Sequence, residues 1–186
     1  MTNELENKIN DIITILNLSV LDHEQTPQGI TTIKVNDYQS LSIRLSDWKG
    51  KGSARLFPPY FFRDIYFDND KSTLGIGFSP DKSAKDIARD IARRILSSPL
   101  ATEQKEYIEA TVKGHNEDLD NQKKLQEDLT AIGFEILDSG KAYYNHEGNY
   151  FIIRTEYGRP YFESFSPDSD QTLDIITAIM KTIKGK

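Results

Sequence analysis

Three histidines, His23, His115 and His146, are the first side chains to weigh for metal or acid–base chemistry in this 186-residue chain. None lies at i, i+4 from another histidine or inside an H-E-x-x-H frame, so their spacing supports no zinc site. Cysteine is absent from the sequence, which removes disulfides, thiolate metal sites and cysteine nucleophiles together. His146 and Glu147 could act as an acid and a base, but flanking Gly148 and tyrosines mark a surface turn. The run DWKGKGSAR from Asp47 to Arg55 lacks the G-x-x-x-x-G-K-[ST] spacing that cradles phosphates. Asp68 to Asp70 and Asp118 to Gln122 lack the loop glycine and distal glutamate of a calcium loop, and read as a turn and a helix face. Glu135 to Lys141 has the residue types of a magnesium nuclease strand without its spacing. The expectation is a protein with no catalytic residue, metal or cofactor. Its enzymatic alternative needs carboxylates that cluster from distant positions.

Binding chemistry is better represented. Between Arg44 and Arg63 the cations Arg44, Lys49, Lys51, Arg55 and Arg63 surround Trp48, Phe57, Tyr60, Phe61 and Phe62. Cations offer charge to phosphates and rings offer flat faces to bases, which is what a single-stranded nucleic acid requires. The simpler account is that the aromatics fill the core beneath a long loop whose Lys and Gly keep its tip soluble. A docking loop for an acidic protein is a further reading. A second surface is the tyrosine-rich stretch holding Tyr143, Tyr144, Tyr150, Tyr157 and Tyr161. There Tyr143 and Tyr150 could meet a partner, although cross-strand aromatic pairs also stabilise sheets by themselves.

A third cationic stretch, KSAKDIARDIARRILSSPL from Lys82 to Leu100, stands out against a net charge of −6. On a helical wheel Ala84, Ile87, Ala88, Ile91, Ala92, Ile95 and Leu96 form one apolar face. Lys85, Arg89 and Arg93 line its border, with Asp86 and Asp90 beside them. Interleaved charge of this kind describes a solvated rim over a buried stripe. Arg89 and Arg93 are retained as candidates to join a nucleic-acid surface. With 29 Asp and Glu against 23 Lys and Arg, any such binding must come from a local patch, because the averaged field repels phosphate.

The elements that must position these residues can be read from their periods. Leu5, Ile9, Ile12, Ile13 and Leu16 recur at helical spacing behind Glu4 and Glu6. ITTIKV, SLSIRL, DIYFDND and STLGIGF follow as strands, the last two predicted to form a hairpin, with Trp48 to Pro59 irregular between them. Pro99 ends the Ile-rich helix. From Thr102 to Ile132 the stripe Ile108, Val112, Leu119, Leu125, Leu129 and Ile132 predicts one long helix, interrupted by Gly114 and closed by Gly133. FEILD, KAYYNHE, NYFIIRTEY and PYFESF read as four more strands, and DQTLDIITAIMKTI as a last helix. GFSPD at Gly77 to Asp81 and SFSPD at Ser164 to Asp168 each stand at the step from last strand to last helix. In both, serine is expected to cap the helix, proline to open it and aspartate to meet its positive end. LSVLD at Leu18 and FEILD at Phe134 also correspond, so an internal duplication with pseudo-twofold symmetry is predicted.

The helix Ile87-Ala88-Arg89-Asp90-Ile91-Ala92-Arg93-Arg94-Ile95-Leu96 followed by a long polar helix resembles a family of small phage- and prophage-encoded proteins with an I-A-x-D-I-x-R-R-[IL]-L word. The likeness covers the overall layout and that helix. After the word such proteins continue with Pro and Tyr, where this chain has Ser97-Ser98-Pro99-Leu100. The resemblance implies a mobile-element origin and carries over no catalytic residue.

The expected fold is α+β: two related helix–antiparallel sheet–helix halves joined by a long central helix. Residues 1–98 form the first half, 99–132 the central helix and 133–186 the second. The expected function is a non-enzymatic accessory protein of a phage or mobile element that binds a host or phage protein. It would inhibit nucleic-acid-processing or defence machinery in an anti-CRISPR-like way. The alternative is single-stranded nucleic-acid binding through Arg44, Trp48, Lys49, Lys51 and Arg55, joined by Arg89 and Arg93. A homodimer is compatible with either reading. No stretch approaches the ~18 apolar residues of a membrane span and no basic-then-apolar leader follows Met1, so a cytoplasmic, non-membrane protein is expected.

Overall fold

A computed structural model describes residues 2–18, 30–45, 50–137, 141–146, 149–156 and 159–165. The predicted last helix, the second FSPD word, His23, Trp48 and Lys49 lie outside the described residues. The class is α+β, with two four-stranded antiparallel sheets. Contacts divide the chain into units 1–113 and 114–186.

The N-terminal unit opens with helix α1 (Thr2–Leu16), whose Ile9, Ile12 and Ile13 are buried. Strands β1 (Ile30–Asn36), β2 (Gln39–Arg44), β3 (Gly52–Phe57) and β4 (Leu74–Phe78) pair in chain order, a meander. Alternation sends Ile33, Leu41, Ile43, Ala54, Leu56, Ile76 and Phe78 to one face. Against that face, in one cluster, lie α1 and helix α3 (Ala84–Ile91). Ile87, Ile91 and Ile95 are all fully buried there, as the helical wheel requires.

Two predicted elements differ. Residues 52–57 were expected to be irregular and form β3, because Gly52, Ala54 and Leu56 face inward and only the last carries a long apolar side chain. A Cβ on Gly52 would stand 2.2 Å from the Phe78 ring opposite it, so glycine is required for that ring to close the core. DIYFDND forms no strand and no hairpin. Asp68 instead accepts the Asp70 N–H and caps the short helix α2 (Asn69–Ser72).

Helix starts also move. FSPD at Phe78 to Asp81 makes a turn in which Ser79 C=O accepts from Lys82 N–H at 3.3 Å. The cap of α3 is Ser83, whose hydroxyl accepts the Asp86 N–H at 3.1 Å and donates to the Asp86 carboxylate at 2.6 Å. The cap therefore falls at Ser83 and not at Ser79. The helix then widens into a π turn over Ala92–Leu96, closed by Ser97 N–H to Ala92 C=O.

Helix α4 spans Pro99–Ala131 without a break at Gly114. It begins at Pro99, ahead of the predicted Thr102, because the Ser98 hydroxyl accepts Leu100 N–H and proline suits the first helical position. The division between units falls after Lys113, inside α4, and not at residue 98. Gly133 (φ +98) ends the helix as expected, with Phe134 N–H reaching Leu129 C=O at 3.0 Å.

In the C-terminal unit strands β5 (Glu135–Ile136), β6 (Lys141–His146), β7 (Asn149–Glu156) and β8 (Arg159–Phe165) again pair in chain order. Leu125 and Leu129 of α4 pack with Phe134, Ala142 and Ile153. The rings of Phe134 and Tyr144 lie 5.1 Å apart.

Candidate functional site

Residues 58–73 leave the N-terminal sheet after β3 and return to it as β4. Such an excursion must be held at its mouth, and one side chain holds both ends. Gln104 of α4, 4% exposed, donates from its single amide nitrogen to Leu56 C=O at 3.0 Å and Ser72 C=O at 2.6 Å. Its oxygen accepts from Gln39, which also donates to Ala101 C=O. Asn36 in turn donates to Gln39. Every polar atom of the Gln104 amide is therefore satisfied in a dry setting, where each unmet partner would cost about 1–3 kcal/mol. One turn on, the Tyr107 hydroxyl accepts the Asp68 N–H at 3.0 Å. Lys71 lies 5.7 Å from the centre of the Tyr107 ring.

Held in this way, the excursion presents aromatic rings to solvent. Tyr60 is 79% exposed, Phe61 66% and Tyr66 89%. The 3-10 turn Tyr60–Phe62 follows Pro58-Pro59, which fixes the backbone entering it. Phe62 is half-buried: its ring lies 6.3 Å from Tyr38, nearly parallel, and 6.4 Å from Phe67. Phe61 rests on Phe62 at 4.4 Å. An exposed ring backed by a packed one loses little freedom on binding, which favours a contact role. A cleft of about 340 Å³ opens beside these rings, lined in part by Phe57, Pro59, Tyr60, Phe62, Arg63 and Thr73.

Phe57 connects the cleft to the outer face of the sheet. Register and alternation place three rows there: Arg44 and Ser53 before Gly77; Thr32, Ser42 and Arg55 before Gly75; Lys34 and Ser40 before Phe57. None of the four strands contains an acid. Lys34 pairs with Asp37 in the β1–β2 turn at 2.7 Å, and that hydrogen bond and charge hold the Asp37 carboxyl below its ordinary range. The Arg55 stem lies across Gly75, where a Cβ would meet its Cγ at 3.2 Å.

The predicted contact residues are thus partly brought together. Arg44 and Arg55 share this face as diagonal neighbours, Lys51 is exposed just before β3, and Trp48 and Lys49 fall outside the described residues. Arg89 and Arg93 do not join them, because α3 packs on the opposite face of the same sheet. Each meets an acid of its own helix: Arg89 is 3.5 Å from Asp86 and Arg93 is 3.6 Å from Asp90. Asp90 also binds Lys82 at 2.7 Å, and that hydrogen bond, with the charges of Lys82, Arg93 and Arg94, lowers its carboxyl below the ordinary range. In the other unit Tyr143 is half-buried opposite Ile152, and the register sets Tyr150 opposite Asn145.

Sequence reasoning missed Gln104, Tyr107 and Tyr66. Glutamine and tyrosine on a polar helix carry no sign of what they touch, and Tyr66 was read inside a strand. The run Pro58-Pro59 followed by three aromatics was the one available signal, since proline pairs end strands. Among the described residues no group of three or more His, Cys, Asp or Glu is placed to hold a metal ion. No described helix is long and apolar enough to cross a membrane. Compared with known proteins, the chain matches no family model, no curated protein and no solved structure.

Proposed function

We propose that this is a non-catalytic binding protein whose contact surface is the aromatic excursion of residues 58–67, presented by the N-terminal sheet and buttressed by α4. The observation that carries this reading is the exposure of Tyr60, Phe61 and Tyr66 on a backbone clasped at both ends. Exposed tyrosine and phenylalanine side chains are what recognition surfaces concentrate, because they bury large area at small entropic cost. An accessory role in a mobile element, acting on a host macromolecule, belongs to the same proposal and rests on the Ile87–Leu96 helix word. The shared order of the two sheets supports a duplicated ancestor.

The test compares the wild-type chain with the variant Tyr60→Ala/Phe61→Ala/Tyr66→Ala as bait in lysate. Retained protein and nucleic acid are both quantified. The variant is expected to unfold at the wild-type temperature and to lose the retained species. A species held equally by both chains overturns the assignment of the loop.

A further inference from the structure

We propose that the outer face of the N-terminal sheet and the adjoining aromatic loop together form a track for single-stranded nucleic acid. The inference rests on the reading of the loop as a contact surface and names its ligand. Charge complementarity selects the occupant. In a chain of net charge −6, the four strands carry Arg44 and Arg55 on one face and contain no acidic residue, while Lys34 at the edge is paired with Asp37 of the β1–β2 turn. A polyanion gains from such a patch where the rest of the molecule repels it.

The shape of the face fits a nucleic-acid backbone. Around Arg44 and Arg55 the side chains are Ser42, Ser53, Gly75 and Gly77. Both glycines are exposed, and a Cβ at Gly77 would meet nothing closer than 3.8 Å. A sugar-phosphate chain can therefore lie close, with guanidinium groups and serine hydroxyls as donors to its phosphates.

The rings sit where bases would follow. Phe57, half-buried next to buried Ser40, lines the cleft that Tyr60, Phe62 and Arg63 also line. Beyond it Tyr60, Phe61 and Tyr66 stand out into solvent. Stacking needs bases released from pairing, so the rings select single strands over duplex. Of the acids of the excursion, Asp68 and Asp70 lie at α2, past the rings, while exposed Asp64 stands between Phe61 and Tyr66 in the sequence beside Arg63.

Fluorescence anisotropy tests the assignment with labelled oligothymidylate and oligouridylate of about 15 nucleotides, and with a duplex of equal length. Single strands are expected to bind at low salt, with log K falling against log salt by about 0.7 for each phosphate contacted. Arg44→Glu/Arg55→Glu should weaken binding by at least about tenfold and flatten that slope. Arg55→Lys should keep the slope. Phe61→Ala or Tyr60→Ala should weaken binding about five- to hundredfold with the slope unchanged. Arg89→Glu/Arg93→Glu, across the sheet, should change little. Absence of binding at low salt, duplex bound as well as single strand, or indifference to Arg44 and Arg55 each overturns the proposal. If the triple aromatic variant still loses a protein from lysate in that case, the contact loop stands and only its nucleic-acid ligand falls. If it loses nothing, both fall.

Discussion

The two sheets of this protein are meanders of the same order, and they differ most at their third connection. In the C-terminal unit β7 passes to β8 through residues 157–158, with Glu156 paired to Arg159. In the N-terminal unit β3 passes to β4 through residues 58–73. Antiparallel neighbours need only a short connection. The extra chain in the N-terminal unit is thus not required for strand pairing. It carries Tyr60, Phe61, Phe62, Tyr66 and Phe67, and it has its own support in Gln104 and Tyr107. Lengthening a loop costs little in closure entropy, whereas exposing three aromatic rings opposes solubility, so a contact role is the economical account of the difference.

The strongest way to break this comparison is to replace residues 58–73 with an Asn-Gly turn, making the first sheet like the second. Circular dichroism should report the strands retained, and binding of any partner of the loop should vanish. A sheet that unfolds would show the excursion to be structural. Next in size, Gln104→Ala leaves Leu56 and Ser72 carbonyls unmet and should cost about 2–3 kcal/mol by denaturant titration. Hydrogen exchange should rise at Phe62, Ile65 and Ser72, whose N–H groups bond within the excursion, and not in β6 or β7.

Smaller effects sharpen the boundary between the units. Gly114 lies in the interior of α4 with nothing within 4 Å of an added Cβ. Gly114→Ala should raise stability by about 0.5–1 kcal/mol in thermal unfolding, because it removes backbone freedom from the unfolded chain. The least effect is expected at Asp90, whose carboxyl titrates below its ordinary range through Lys82 and the neighbouring arginines. A lowered folded value means its contribution is present above the unfolded value of about 3.9 and is lost as pH falls through the folded one. Asp90→Asn should therefore be the less stable chain at pH 6 and should converge with wild type as pH falls through the lowered folded value, as read by urea midpoints.

Elements with a long, regular apolar period were legible. The stripe Ile87, Ile91, Ile95 announced a helix packed on a sheet, and all three are buried. The alternation of residues 141–165 announced three of the four C-terminal strands. Where small residues form the inward face, as at Gly52 and Ala54, the period vanished and β3 was lost. Where two serines compete to cap a helix, the choice of Ser83 over Ser79 depended on Asp86 three residues on, a signal present in the sequence but outweighed by Pro80. The candidate site was half legible: Arg44, Arg55 and the aromatics were named, while their separation from Arg89 and Arg93 was not.

By itself the sequence determined periodicity, caps and composition, because these act within a few residues along the chain: α1, α3, α4 and the strands of alternating Val, Ile and Tyr follow from them. Only tertiary structure decided which face of the first sheet α3 covers, and so which cations lie together and which are parted by a layer of protein. It alone decided that Gln104 reaches across to both ends of residues 58–73, because hydrogen-bond partners distant in sequence leave no period to read.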